Sequence, residues 1–119
     1  MLNLNMGNSK KIDIGIVGTG HLGSFHIEQY KELNNVNIVG FTDINKAQIN
    51  QVKNKYNINA FDSLDELLTN CEAISIATPT TTHFNVAKKA LEMNCHVLIE
   101  KPITQNIAEA KELVGISEK

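Results

Sequence analysis

Between a run of β-branched residues and a helical pattern, the sequence places Gly18-Thr19-Gly20-His21-Leu22-Gly23, a G-x-G-x-x-G turn. Glycines at that spacing suit a pyrophosphate. The first permits a tight turn, the second lets the ligand approach the backbone, the third lets the helix pack closely, and the helix N-terminus offers free amides. Alone, the pattern also fits ordinary glycine punctuation of a turn. Twenty residues past Gly23 stands Asp43, followed by Ile44, at the end of a second β-branched run. A carboxylate there can accept hydrogen bonds from the adenosine ribose hydroxyls and repel a 2'-phosphate, which favours NAD over NADP. Against this, Lys46 softens the discrimination, and Asp43 also suits the opening of a plain turn in "TDINK".

Two more polar clusters end apolar runs. "ATPTTTH" carries Ala77, Thr78 and Pro79, where the proline breaks strand pairing and leaves hydroxyls and amides to face a ligand, with His83 one turn into the next helix. The plain reading is that these threonines cap a helix and that His83 is solvated. "HVLIEKPIT" delivers Glu100, Lys101 and Pro102 at the end of the last apolar run. A lysine partly desolvated beside a positively charged nicotinamide would have a lowered pKa and could exchange a proton with a substrate hydroxyl. The plain alternative is a surface ion pair of small energetic worth.

Short apolar runs alternating with longer helical patterns must position these clusters, and that alternation predicts a parallel α/β sheet. Strands are expected over Ile12–Val17, Val36–Phe41, Ile58–Phe61, Ala73–Ala77 and Val97–Ile99. Leu22, Phe25, Ile27, Tyr30 and Leu33 fit one apolar side of the first helix. A weaker helix is expected over Lys46–Tyr56, and Ser63 with Glu66 forms a capping box opening a helix through Leu68. Thr81–Met93, with Phe84, Ala87, Ala90 and Leu91 toward the sheet, and Ile107–Ile116 complete the set. The expected fold is a Rossmann-like doubly wound sheet of about five strands with helices on both faces, binding its ligand at the carboxyl ends of the strands.

A chain of 119 residues, 42% of them hydrophobic, has room for one core. One domain is expected over residues 11–119, preceded by a flexible lead over residues 1–10. A net charge of -2 with eleven scattered Lys and Arg residues gives no field for nucleic acid or for an anionic membrane. Cys71 and Cys95 are too few for a disulfide framework and suit a reducing, cytoplasmic interior as small buried hydrophobes. No signal peptide or membrane span is read. The histidines and cysteines lack the spacing of a four-ligand zinc site, so no metal is expected. Ser24 lacks a hydrolase elbow, and the glycine turn lacks the Lys-Ser/Thr ending of a nucleotide triphosphatase loop.

From about Ile12 to Lys119, the glycine turn, Asp43, "ATPTTTH", "AKKALEMNCHVLIEKP" and above all Glu100-Lys101-Pro102 resemble the glucose-fructose oxidoreductase, inositol dehydrogenase and rhizopine catabolism group, Gfo/Idh/MocA. The resemblance implies an NAD(P)-dependent oxidoreductase acting on sugars, cyclitols or related polyols. It places Gly18, Gly20 and Gly23 at the pyrophosphate, Asp43 at the adenosine ribose, His83 near the cofactor, and Glu100 and Lys101 at the nicotinamide ribose and substrate. Lys101 would help move the hydroxyl proton as hydride passes to nicotinamide. Thr80 departs from the asparagine that many members carry. The family usually continues into a sixth strand and a second domain with substrate contacts, a catalytic histidine and the oligomer face. A chain ending at Lys119 is therefore expected to hold dinucleotide without turnover, and its open last-strand edge would be free to pair with another copy. Two other classes stay open: a stand-alone dinucleotide-binding module, and a methyltransferase, which pairs a similar turn and acid but lacks the Glu-Lys-Pro triplet.

Overall fold

The computed structural model describes residues 11–119. The lead expected over residues 1–10 lies outside the described residues. Strand β1, Ile12–Val17, and strand β2, Val36–Thr42, form where β-branched residues cluster, and helix α1, His21–Lys31, joins them. Helix α2 spans Lys46–Tyr56; Asn45 caps it by accepting from the Gln48 amide, and Asn57 ends it in a left-handed conformation. A five-residue helix α3, Leu64–Leu68, leads into β3, Ala73–Ile76. Helix α4, Thr80–Glu92, β4, His96–Ile99, and α5, Ile107–Ser117, follow.

The four strands form a fully parallel sheet in the order β2-β1-β3-β4. The strand expected over Ile58–Phe61 is reduced to one isolated parallel bridge between Phe41 and Ala60. Two backbone bonds hold it, from the Phe41 amide to Asn59 and from the Phe61 amide to Phe41. Pairing stops there because the chain bends at Asp62 and Ser63 into α3. The expected capping box is also altered. Ser63 accepts from the Glu66 amide at 3.1 Å, but the Glu66 carboxylate takes the Asp62 amide rather than that of Ser63.

Alternation along the strands sends side chains to two separate cores. Ile14, Ile16 and Phe41 pack with Ile27 of α1 and with Val52 and Tyr56 of α2. Val17, Ile74 and Ile76 pack on the opposite face with Leu67 of α3, Ala87 and Ala90 of α4, and Leu113 of α5. Helices therefore cover both faces, as expected.

The apolar side read for α1 is rotated from its true inward face. Leu22, Phe25 and Leu33 are about half exposed, whereas Gly23, His26 and Ile27 are buried. Gly23 sets that orientation: a Cβ there would lie 1.8 Å from the Gly18 carbonyl oxygen, so the helix sits directly on the turn. The inward stripe then runs through positions 23, 26, 27 and 30, at helical spacing.

Candidate functional site

The chain leaves β1 toward β2 on one side and returns to β3 on the other, so the loops after β1 and β3 diverge. An open cleft of about 840 Å³ lies at this divergence, beyond the carboxyl ends of β1, β2 and β3. Its walls include Gly18 to Gly20, Asp43 and Ile44, and Ala77 to Pro79. A smaller cleft of about 440 Å³ lies at the opposite end of β4, between α4 and α5, where none of the chemistry-bearing clusters reaches.

The three glycines are different from one another in space. Gly18 has φ +88°, and a Cβ there would meet Thr78 at 2.8 Å, so the first turn needs a glycine on both counts. A Cβ on Gly20 would meet nothing within 4 Å. That open space lies beside the start of α1, where Gly20 is the N-cap with no side chain closing the first turn. The amides of His21, Leu22 and Gly23 lead this turn, which carries the positive end of the helix dipole. The His21 and Leu22 side chains are exposed.

Thr19, expected among the ligand contacts, is fully buried. Its amide and hydroxyl both donate to Asp43 Oδ2, at 2.8 and 2.7 Å, while its carbonyl accepts from Ser24 Oγ and Gln48 Nε2. Thr19 thus fixes Asp43 rather than offering its own polar groups. The other carboxylate oxygen accepts from the Asn45 amide at 3.0 Å. Burial raises the Asp43 carboxyl, but hydrogen bonds from the Asn45 amide, the Thr19 hydroxyl and amide, and the Ile44 amide outweigh it and hold the group below its ordinary value. The carboxylate is therefore ionised at neutral pH. Beside it, the Ile44 side chain is fully exposed.

At the end of β3, Ala77 donates its amide to Val17 and so continues the ladder into the turn. The expected threonine cap of α4 does not form. Pro79 occupies the N-cap without a side-chain bond, and Thr82 Oγ1 turns back to Thr78 Oγ1 and the Pro79 carbonyl at 2.6 and 2.8 Å. His83 is buried rather than solvated, with Nε2 2.8 Å from the Thr78 carbonyl and Nδ1 2.9 Å from that of Pro102. It bolts the turn after β3 to the segment after β4.

The Glu100 amide extends the β4 ladder to Ile76. Its carboxylate contacts His26 Nε2, so the plain expectation of a Glu100–Lys101 pair is replaced by a contact with α1. Lys101 is exposed, and the desolvation expected of it is absent among the described residues. The Lys101–Pro102 peptide is cis. His26 and Ser75 were missed in the sequence as parts of this edge. Their signal was the stripe through Gly23, His26 and Tyr30, together with a serine inside an otherwise apolar strand.

Cys95 is buried and Cys71 half-buried, and both thiols are free. Burial, and then the neighbouring Cys95, pushes Cys71 up to about 12; burial also raises Cys95. Neither is a nucleophile at neutral pH. Among the described residues, no group of three or more His, Cys, Asp or Glu side chains is placed to hold a metal, and no helix is long and apolar enough to cross a membrane.

A glycine turn feeding an uncapped helix, an ionised aspartate at the end of the adjacent strand, and a cleft at the divergence of the loops define a dinucleotide-binding Rossmann domain. The model of the oxidoreductase family with an NAD-binding Rossmann fold matches residues 12–119. The chain belongs to that family, Gfo/Idh/MocA, as the sequence resemblance implied. It is 40% identical over 105 residues to UDP-N-acetylglucosamine 3-dehydrogenase of Acidithiobacillus ferrooxidans, covering 88% of this chain and 33% of that protein. It is 30% identical over 106 residues to glucose-6-phosphate 3-dehydrogenase of Bacillus subtilis, covering 89% of this chain and 30% of that one. A solved structure of the A. ferrooxidans enzyme superposes with a TM-score of 0.85 at 38% identity, over 92% of this chain and 36% of its own. The chain thus spans about a third of the length of these relatives.

Proposed function

We propose that the chain is the cofactor-holding part of an NAD-dependent dehydrogenase whose substrate is the hydroxyl or keto carbon of a sugar, cyclitol or related polyol. The observation that carries this reading is the open space at Gly20, set between the uncapped start of α1 and the ionised Asp43. A pyrophosphate fits that space, and a ribose fits the remaining acceptor capacity of the carboxylate. The names of both relatives, 3-dehydrogenases of sugar derivatives, support a sugar hydroxyl as the reacting group.

The roles follow from position. The amides of His21, Leu22 and Gly23 face the phosphates, and Asp43 accepts from the adenosine ribose and repels a 2'-phosphate. Exposed Ile44 offers an apolar surface to the adenine. Ala77, Thr78 and Pro79 form the opposite wall, and His83 acts behind it by fixing Thr78 and Pro102. Glu100 and Lys101, separated from Asp43 by the two central strands, stand at the nicotinamide end. When bound, the nicotinamide supplies the hydride acceptor or donor. Lys101 Nζ takes or returns the hydroxyl proton. Substrate-binding residues beyond this chain would complete the pocket and lower the solvation of Lys101.

Exposed Leu98 on the open edge of β4 offers a surface for further chain or for a second copy. Two free cysteines support a reducing, cytoplasmic setting.

Titration with NADH, followed by its fluorescence, and with S-adenosylmethionine, followed by calorimetry, tests the reading. Saturable binding of NADH and none of S-adenosylmethionine is expected. Preference for S-adenosylmethionine contradicts it and returns the fold to the methyltransferases.

A further inference from the structure

A buried polar chain crosses the α1 face of the sheet and ends at Glu100, just past the carboxyl end of β4. Ser75 is fully buried between Ile74 and Ile76 on β3, and its side chain points to the face opposite theirs. Tyr30 donates its hydroxyl to Ser75 Oγ at 3.2 Å, and Ser75 Oγ lies 2.6 Å from His26 Nδ1. His26, only 8% exposed, meets Glu100 at its other nitrogen.

The direction of this chain follows from donor counting. A carboxylate only accepts, so His26 Nε2 carries the proton that faces Glu100. In the neutral ring Nδ1 then accepts. Ser75 supplies the proton, because its oxygen already accepts from Tyr30. Every donor has one acceptor, and the imidazole is held from both sides. Burying a serine hydroxyl and an imidazole in a strand-helix interface that could have been apolar is costly unless they are bonded to a purpose-built partner. Here the partner at the far end is the carboxylate that leaves β4.

We propose that His26 is a positioning residue of the cofactor site: it fixes the Glu100 carboxylate at the nicotinamide end and couples it to the helix whose N-terminus faces the phosphates. The inference rests on the cofactor reading above. His26 touches no ligand itself. It acts by denying Glu100 the freedom to swing to solvent, so that the carboxylate and the neighbouring Lys101 backbone meet the nicotinamide ribose already ordered.

The test compares NADH with ADP, which lacks the nicotinamide and its ribose and so makes no contact at Glu100. In the chain carrying His26→Ala, NADH affinity should fall about tenfold, as for loss of an oriented charge-assisted contact, while ADP affinity changes by less than about twofold. His26→Gln, whose amide can still donate to Glu100, should recover most of the loss. Equal weakening of both ligands would make His26 a plain packing residue and overturn the proposal, as would no weakening of either. In case the alanine variant does not fold, the side-chain nitrogen resonances of His26 in the unaltered chain give a second reading. They should shift on adding NADH and remain still on adding ADP; resonances unmoved by NADH overturn the proposal. If the unaltered chain binds neither ligand, the cofactor reading itself fails first, and this inference falls with it.

Discussion

Thr19 and Asp43 are joined twice: the amide and the hydroxyl of Thr19 both donate to one carboxylate oxygen of Asp43, at 2.8 and 2.7 Å. The glycine turn and the acid after β2 are consequently one rigid unit rather than two loops that meet on a ligand. The unit is pre-organised before any dinucleotide arrives, so less ordering entropy opposes binding.

That junction gives Asp43 two separable effects. Asp43→Ala should weaken NADH by about tenfold or more and bring NADH and NADPH to similar affinities, because the hydrogen-bond acceptor and the repulsion of a 2'-phosphate disappear together. It should also cost about 1–3 kcal/mol of stability, since the buried donors of Thr19 lose their partner. Paired titrations of NADH and NADPH and a urea unfolding curve measure the two effects. An unchanged NADH-to-NADPH ratio would remove Asp43 from the ribose.

The same carboxylate makes stability depend on acid. Its folded pKa lies below the ordinary value of 3.8, so its contribution is fully present above that value and is lost as pH falls through the lower folded value. Asp43→Asn should flatten this part of the decline in unfolding midpoint below about pH 4. A variant whose midpoint falls as steeply as that of the unaltered chain would contradict the hydrogen-bonded carboxylate.

Two glycines separate folding from binding. Gly23→Ala should destabilise the fold by about 3 kcal/mol or more, because the added Cβ would lie 1.8 Å from the Gly18 carbonyl oxygen and neither helix nor turn can retreat cheaply. Gly20→Ala meets nothing within 4 Å. It should change stability by less than about 1 kcal/mol yet weaken NADH more than about tenfold by filling the space of the pyrophosphate. Thermal melts with NADH titrations decide both, and a Gly20→Ala chain that binds normally would move the phosphates elsewhere.

The thiols should be quiet until the chain unfolds. With Cys71 pushed up to about 12 and Cys95 also raised by burial, alkylation by iodoacetamide at pH 8 should run at least about a hundredfold slower in the folded chain than in urea. Comparable rates would show that both thiols open to solvent.

Much of this was legible in the sequence because its signals are local. The glycine spacing, the acid at the end of β2 and the β-branched runs each depend on residues close in the chain, and their placement follows from the strand-helix alternation. The parts that were not legible depend on residues far apart. The strand at Ile58–Phe61 shrank to one bridge because its neighbour α3 begins at Leu64 and bends the chain early. Thr19 looked like a ligand contact because its carboxylate partner, Asp43, lies 24 residues away. His26 drew no reading beyond the dismissal of a zinc site because its partners, Ser75 and Glu100, are 49 and 74 residues distant. His83, solvated on the plain reading, is buried because a carbonyl 19 residues away, that of Pro102, meets its ring.

The most direct test of the central claim is an amide NMR titration of the chain with NADH. The account predicts shifts concentrated at residues 18–23, 43–45, 77–79 and 100–101, with the amides at the start of α1 moving most. Shifts concentrated instead at the 440 Å³ cleft lined by Leu91, Cys95 and Ile116, or no saturable shifts at all, would contradict it.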